Sequence, residues 1–174
     1  MKMRETLLGP IVLSLLVAMT AALLGGANPV GAQTATTTTT TTTGAVVNTT
    51  VVPIGGTVDG KGVESVSISG NLLMTCTMVK DPDFKTPASM RHQIDFSNVT
   101  GTGLKSGAVY VIGTEIDIKI RPVVKSDVIE ITFPLFATSA GMLTARAGLA
   151  TIVVMTNGAG TVTSVTATAG TPAF

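Results

Sequence analysis

Apolar and polar residues alternate along most of the chain with a period of two, which is the signature of half-buried strands. Val66, Ile68, Leu72, Met74, Cys76 and Met78 share one parity. Ser65, Ser67, Ser69, Asn71, Thr75 and Thr77 take the other, and Gly70 marks a bulge or bend within the run. Met90, His92, Ile94 and Phe96 alternate with Arg91, Gln93 and Asp95. Val109–Ile112 is a short run between glycines. From Glu115 to Arg121 the alternation is complete, and it predicts Ile116, Ile118 and Ile120 inward with Glu115, Asp117, Lys119 and Arg121 in water. Ile129, Ile131 and Phe133 form the next inward set, expected to end at Pro134. Ala145–Met155 and Thr161–Thr168 read as a hairpin whose turn is Asn157-Gly158-Ala159-Gly160.

Two segments stand ahead of this pattern. Val46, Val47, Val51 and Val52 make a first apolar stretch that Pro53 is expected to close, with Gly55 and Gly56 as a hinge behind it. Before it, Thr34–Thr43 is a threonine tract broken only by Ala35. Such a tract has little apolar surface to offset the entropy of ordering, so residues 33–43 are expected to form a disordered linker, bare or O-glycosylated.

The first residues read as an export segment. Lys2 and Arg4 are followed by an uncharged stretch, Leu7–Leu24, and by the small-residue site Val30-Gly31-Ala32. We expect a signal peptide over residues 1–32, cleaved before Gln33. The rival reading is an uncleaved anchor, weakened by Gly9-Pro10 and Gly25-Gly26. Residues 44–174 then form the domain. About eight strands with one apolar face each predict an all-β fold, an antiparallel β-sandwich of immunoglobulin-like or jelly-roll-like type, with a closed barrel as the alternative.

Composition narrows the function classes. Only 12% of the 174 residues are charged, against about 25% in an ordinary domain. Loss of residues 1–32 removes two of the eleven basic and one of the ten acidic residues, leaving nine of each. No basic cluster suits nucleic acid or anionic lipid. With no Trp and a single tyrosine, Tyr110, an aromatic platform for sugars is poorly supplied. Cys76 is the single cysteine, so no internal disulfide forms, which favours a bacterial envelope over a eukaryotic secreted protein. The sequons at Asn48 and Asn98 matter only in a host that glycosylates them.

Candidate chemistry is sparse. Cys76, His92 and Asp95 are the one set that could imitate a thiol hydrolase, but Cys76 and His92 have inward parity and Asp95 points the other way. Asp81 and Asp83, with Asp59 or Asp127, could bind calcium, without the glycine-punctuated ligand series of a dedicated loop. Zinc would find too few ligands. We therefore assign no catalytic, cofactor-binding or metal-binding residue, and no cofactor. The expected function is that of an exported non-enzymatic domain, periplasmic, secreted or on the cell surface, with a structural, adhesive or assembly role. Its expected partners are other envelope or surface proteins, or itself, with no nucleic acid and no membrane anchor after cleavage. The alternatives are a small exported enzyme and a fibre subunit in which Ala45–Val52 pairs with a neighbour's sheet edge.

Overall fold

The computed structural model describes residues 35–42, 45–60, 62–79, 88–113, 117–138, 145–157 and 159–173. The expected signal peptide, residues 1–32, and the possible calcium ligands Asp81 and Asp83 lie outside them.

Among the described residues nine strands form: β1 Thr36–Thr42, β2 Ala45–Val58, β3 Val66–Val79, β4 Ser89–Gly103, β5 Val109–Ile112, β6 Asp117–Pro122, β7 Ser126–Ala137, β8 Arg146–Thr156 and β9 Val162–Gly170. The fold is all-β, as the alternation predicts. It is not the expected sandwich. The sheet runs β2-β3-β4-β5-β7-β8-β9 and returns to β2, which makes a closed seven-stranded barrel. Every barrel pair is antiparallel except the closing one, where Ile54, Gly55 and Gly56 run parallel to Ala167, Thr168 and Ala169.

Two features of β2 produce closure. The strand passes straight through Pro53 rather than ending there, because Pro53 falls where β2 changes partner. Up to Val51 it pairs β1, and from Ile54 it pairs β9. A proline lacks a donor, and between two partners that edge makes no ladder bond. Gly56 then allows the approach of β9, since a Cβ there would overlap the backbone of Ala169. The first apolar stretch is thus a bonded part of the barrel, with Val47–Val58 in register against its own β3, and not a hinged arm.

Strands β1 and β6 lie outside the ring, both at the same end. β1 flanks the first half of β2, and β6 flanks the first half of β4 (Ser89–Ile94), while β5 pairs with Thr100–Thr102 further along. At this end the pairings define β1-β2-β3-β4-β6 on one side and β7-β8-β9 on the other. Among the described residues no ladder joins β6 to β7 or β1 to β9. We call this the split end. Most of the threonine tract, expected as a linker, is thereby the strand β1, with Thr36 opposite Val51 and Thr42 opposite Ala45. β-Branched residues favour extended backbone, and the edge of β2 supplies the hydrogen bonds the tract lacks alone.

The interior is filled by alternate residues, among them Val52, Ile54, Ile68, Leu72, Met74, Ile94, Phe96, Ile129, Ile131, Phe133, Leu135, Ile152 and Val154. Each such side chain contributes about 1.5–3 kcal/mol by leaving water. The inward parities read from β3, β4 and β7 hold. Gly70 lies beside a register shift between Asn71 and Leu73, and the burial parity of β4 changes across Ser97 and Asn98, facing it. The β8–β9 hairpin forms as expected, with Gly160 at φ +84.

One parity is inverted. Ile118 and Ile120 on β6 are 45% and 70% exposed. They stand opposite Gln93 and Arg91, on the outer face of β4, while Lys119 and Arg121 stand opposite the buried His92 and Met90. Alternation defines two faces but does not say which is inner. Here the register against β4 decides it. Pro134 likewise does not end its strand. β7 continues to Ala137, and the Pro134 carbonyl accepts the N–H of Gly113.

Candidate functional site

The split end carries a polar belt across the otherwise apolar interior. Asn48, Cys76 and His92 are directly opposite one another on β2, β3 and β4, and all three are buried. Asn48 Nδ2 donates to the Gly160 carbonyl at 3.2 Å, and Asn48 Oδ1 accepts the Val162 N–H at 3.3 Å. Beside it, Thr50 is also buried and shares a hydroxyl–hydroxyl bond of 3.1 Å with Thr37.

Cys76 Sγ lies 3.2 Å from His92 Nδ1. On the far side of the ring, His92 Nε2 is 3.9 Å from Asp127 Oδ2, and Arg121 Nε is 3.7 Å from the same oxygen. That oxygen is buried and accepts no hydrogen bond. Arg121 also donates to the Val128 carbonyl at 3.4 Å. β3, β4, β6 and β7 thus contribute one group each to a thiol–imidazole–carboxylate–guanidinium line. It crosses from the five-stranded side of the split end to Asp127 on the three-stranded side and returns to Arg121 on β6.

The order thiol, imidazole, carboxylate is that of a hydrolase triad, and the carboxylate is Asp127, not Asp95. Asp95 instead accepts the backbone N–H of Ser97 at 2.8 Å and its hydroxyl, which hold its carboxyl below the usual range. The electrostatics oppose nucleophilic chemistry. Burial pushes the Cys76 thiol up to about 12. Burial also pushes His92 below its ordinary value, against the pull of Asp127. Each group is therefore neutral near pH 7. A neutral thiol is the donor to Nδ1, which leaves the ring proton on Nε2, facing Asp127. An activated cysteine needs the reverse, a thiolate beside an imidazolium, and access for a substrate.

Of the possible calcium ligands, Asp59 and Asp127 lie apart. Asp59 follows β2 at the other end of the barrel, where its N–H donates to Thr171 Oγ1 and its carboxylate accepts from Ser65. Among the described residues no three His, Cys, Asp or Glu side chains are grouped to hold a metal ion.

That other end has its own polar lock. Glu64 accepts the N–H groups of Lys105 and Ser106 at 3.1 and 2.9 Å, the Ser106 hydroxyl at 2.6 Å and the Tyr110 hydroxyl at 3.2 Å. These donors, Ser106 first, hold its carboxyl down at about 2. Arg146 stacks 5.4 Å from the Tyr110 ring centre and donates to the Glu64 carbonyl.

The polar belt was partly visible beforehand. The parity of Val52 and Ile54 carries back to Thr50 and Asn48 and marks both as inward, and His92 shares parity with Ile94. Asp127 shares the inward parity of Ile129 and Ile131, but nothing local says that it meets His92, because the two face each other across the barrel and not along a strand. Compared with protein-family models, with curated proteins and with solved structures, the chain matches none, so its chemistry is argued from its own residues.

Proposed function

We propose that the chain is an exported, non-enzymatic β-barrel domain with an assembly or attachment role at the cell envelope or outside the cell. The observation that carries this reading is the state of the thiol–imidazole pair. It uses the single cysteine and single histidine of the chain, and burial holds both neutral. Export is supported by Lys2, Arg4, the uncharged Leu7–Leu24 stretch and Val30-Gly31-Ala32. A role in contact with other proteins or with further copies is supported by the outward Ile118 and Ile120 and by Val109, Val111 and Val128, exposed on the flanking strands.

The test is thiol reactivity at pH 7 combined with the mature N-terminus. The reading expects Gln33 as the first residue of protein recovered from envelope or medium, and a Cys76 that iodoacetamide labels only after denaturation. Rapid labelling of the native protein would instead favour an exported enzyme using Cys76, His92 and Asp127.

A further inference from the structure

Strand β6 is bonded to β4 along one edge, among the described residues no strand pairs with its other edge, and the backbone parity can be assigned. Val123 N–H donates to the Ala88 carbonyl at 3.0 Å, so the backbone groups of residue 123 face β4. Along a strand these groups alternate in direction. Those of Arg121, Lys119 and Asp117 therefore also face β4, and those of Ile118, Ile120 and Pro122 face the open edge. Pro122 has no N–H to leave unpaired there, which is how exposed edges are commonly tolerated. Ile118 and Ile120 present both donors and acceptors. Near the connection between them, β7 meets β6 through Arg121 with Asp127 and Val128.

From this edge we infer that two copies of the chain pair through β6, antiparallel, about a two-fold axis at Ile118. An isologous contact brings the same strand from both copies together. The axis of an antiparallel pair passes either through a bonded pair, here Ile118 or Ile120, or through the non-bonded pair between them, Lys119. Charge decides between them. Centred on Ile120, the register sets Lys119 opposite Arg121 of the other copy, and centred on Lys119 it sets the two Lys119 residues opposite each other, like charges in both cases. Centred on Ile118, it sets Asp117 opposite Lys119, and Lys119 opposite Asp117. Opposite charges in directly facing positions stabilise a strand pair and like charges destabilise it. The two Ile118 side chains then meet on the outer face, and the strongly exposed Ile120 lies on the same apolar ribbon. The contact joins the five strands β1-β2-β3-β4-β6 of each copy into one continuous sheet.

This deepens the assembly role proposed above and rests on it for its purpose, while its test is separate. Light scattering of the full mature protein between about 1 and 100 µM reads the association directly. The wild type is expected as a dimer. Lys119→Glu places like charges opposite each other twice per dimer and should weaken association on the order of tenfold or more. The double variant Asp117→Lys/Lys119→Glu restores opposite charges and should restore the dimer. Should Lys119→Glu unfold the barrel, seen as a Cys76 that alkylates natively, Ile118→Pro decides. It removes only an N–H that faces the open edge, and it should give a folded monomer with Cys76 still protected. A wild type that stays monomeric throughout, single variants that remain dimers, or a charge swap that fails to restore pairing would each overturn the inference. A monomer with a protected thiol would leave the non-enzymatic reading standing and remove only the pairing.

Discussion

Asn48 and Val162 are bonded across 114 positions of sequence, side-chain Oδ1 to backbone N–H, inside the barrel wall. Together with the bond from Asn48 Nδ2 to the Gly160 carbonyl, this gives the start of β9 a partner on the edge away from β8, where among the described residues the β2–β9 ladder does not reach. Removing the amide strands a buried donor and a buried acceptor. Asn48→Ala should therefore cost about 2–3 kcal/mol in urea unfolding. A loss below about 0.5 kcal/mol would show that these groups find other partners. The same burial makes the sequon at Asn48 inaccessible in the folded protein, whereas Asn98 is exposed.

The thiol–imidazole bond predicts a contrast between two substitutions. Cys76→Ser keeps a donor toward His92 Nδ1 and should cost less than about 1 kcal/mol more than the bond it replaces. Cys76→Ala leaves the buried ring nitrogen unpaired and should cost about 1–3 kcal/mol. Equal effects would mean that Sγ contributes by packing alone.

His92 gives the barrel a pH dependence near neutrality. Its folded value lies below 6.5, so the unfolded chain binds that proton more readily. The contribution is whole above pH 6.5 and declines as pH falls below it, until the folded value is reached. Denaturation midpoints measured from pH 7.5 downward should fall in the wild type and stay flatter in His92→Gln. Parallel curves would assign the loss to other groups.

Glu64 acts in a more acidic window. Its carboxyl is held at about 2 against an ordinary 4.5. Its contribution is therefore present above pH 4.5 and disappears as pH falls toward 2. The protection factors of the Lys105 and Ser106 amides, measured against their intrinsic exchange rates, should fall over that interval in the wild type. In Glu64→Gln they should already be low at pH 6, which is the outcome that separates the carboxylate from the turn itself.

Gly56 holds the closing pair. Gly56→Ala forces the Ala169 backbone away and should cost about 1–3 kcal/mol, as overpacking does. The loss should be accompanied by faster exchange of the Ala167–Ala169 amides. Unchanged protection there would place the strain elsewhere.

How far the fold was legible depended on range. β3, β5, β7 and the β8–β9 hairpin follow from local alternation and from Asn157 and Gly160, because each records a single face or turn. Closure is not local. It depends on one short parallel contact between Ile54–Gly56 and Ala167–Ala169, and two glycines followed by a threonine look the same as hinge or as junction. The face of β6 was illegible for a different reason. Its isoleucines obey the pattern of buried residues, and only pairing with the outward Arg91 and Gln93 turns them to the surface. Within the candidate site, Cys76, His92 and Asp127 each shared the parity of the buried residues on their own strands, while the meeting of Asp127 with His92 across the barrel had no local signal.

The parallel junction also sets an order of events in time. The meander from β2 to β4 can pair as each strand emerges, since its contacts are close in sequence. The ring cannot shut until Ala169, five residues from the end of the given sequence, is available to Gly56. Until then the chain is an open sheet with bare strands at both margins, the form most exposed to wrong pairing with other chains. A chain shortened at Val165 keeps most of the apolar interior and loses only its fastener, so it is expected to aggregate rather than to persist as a looser monomer.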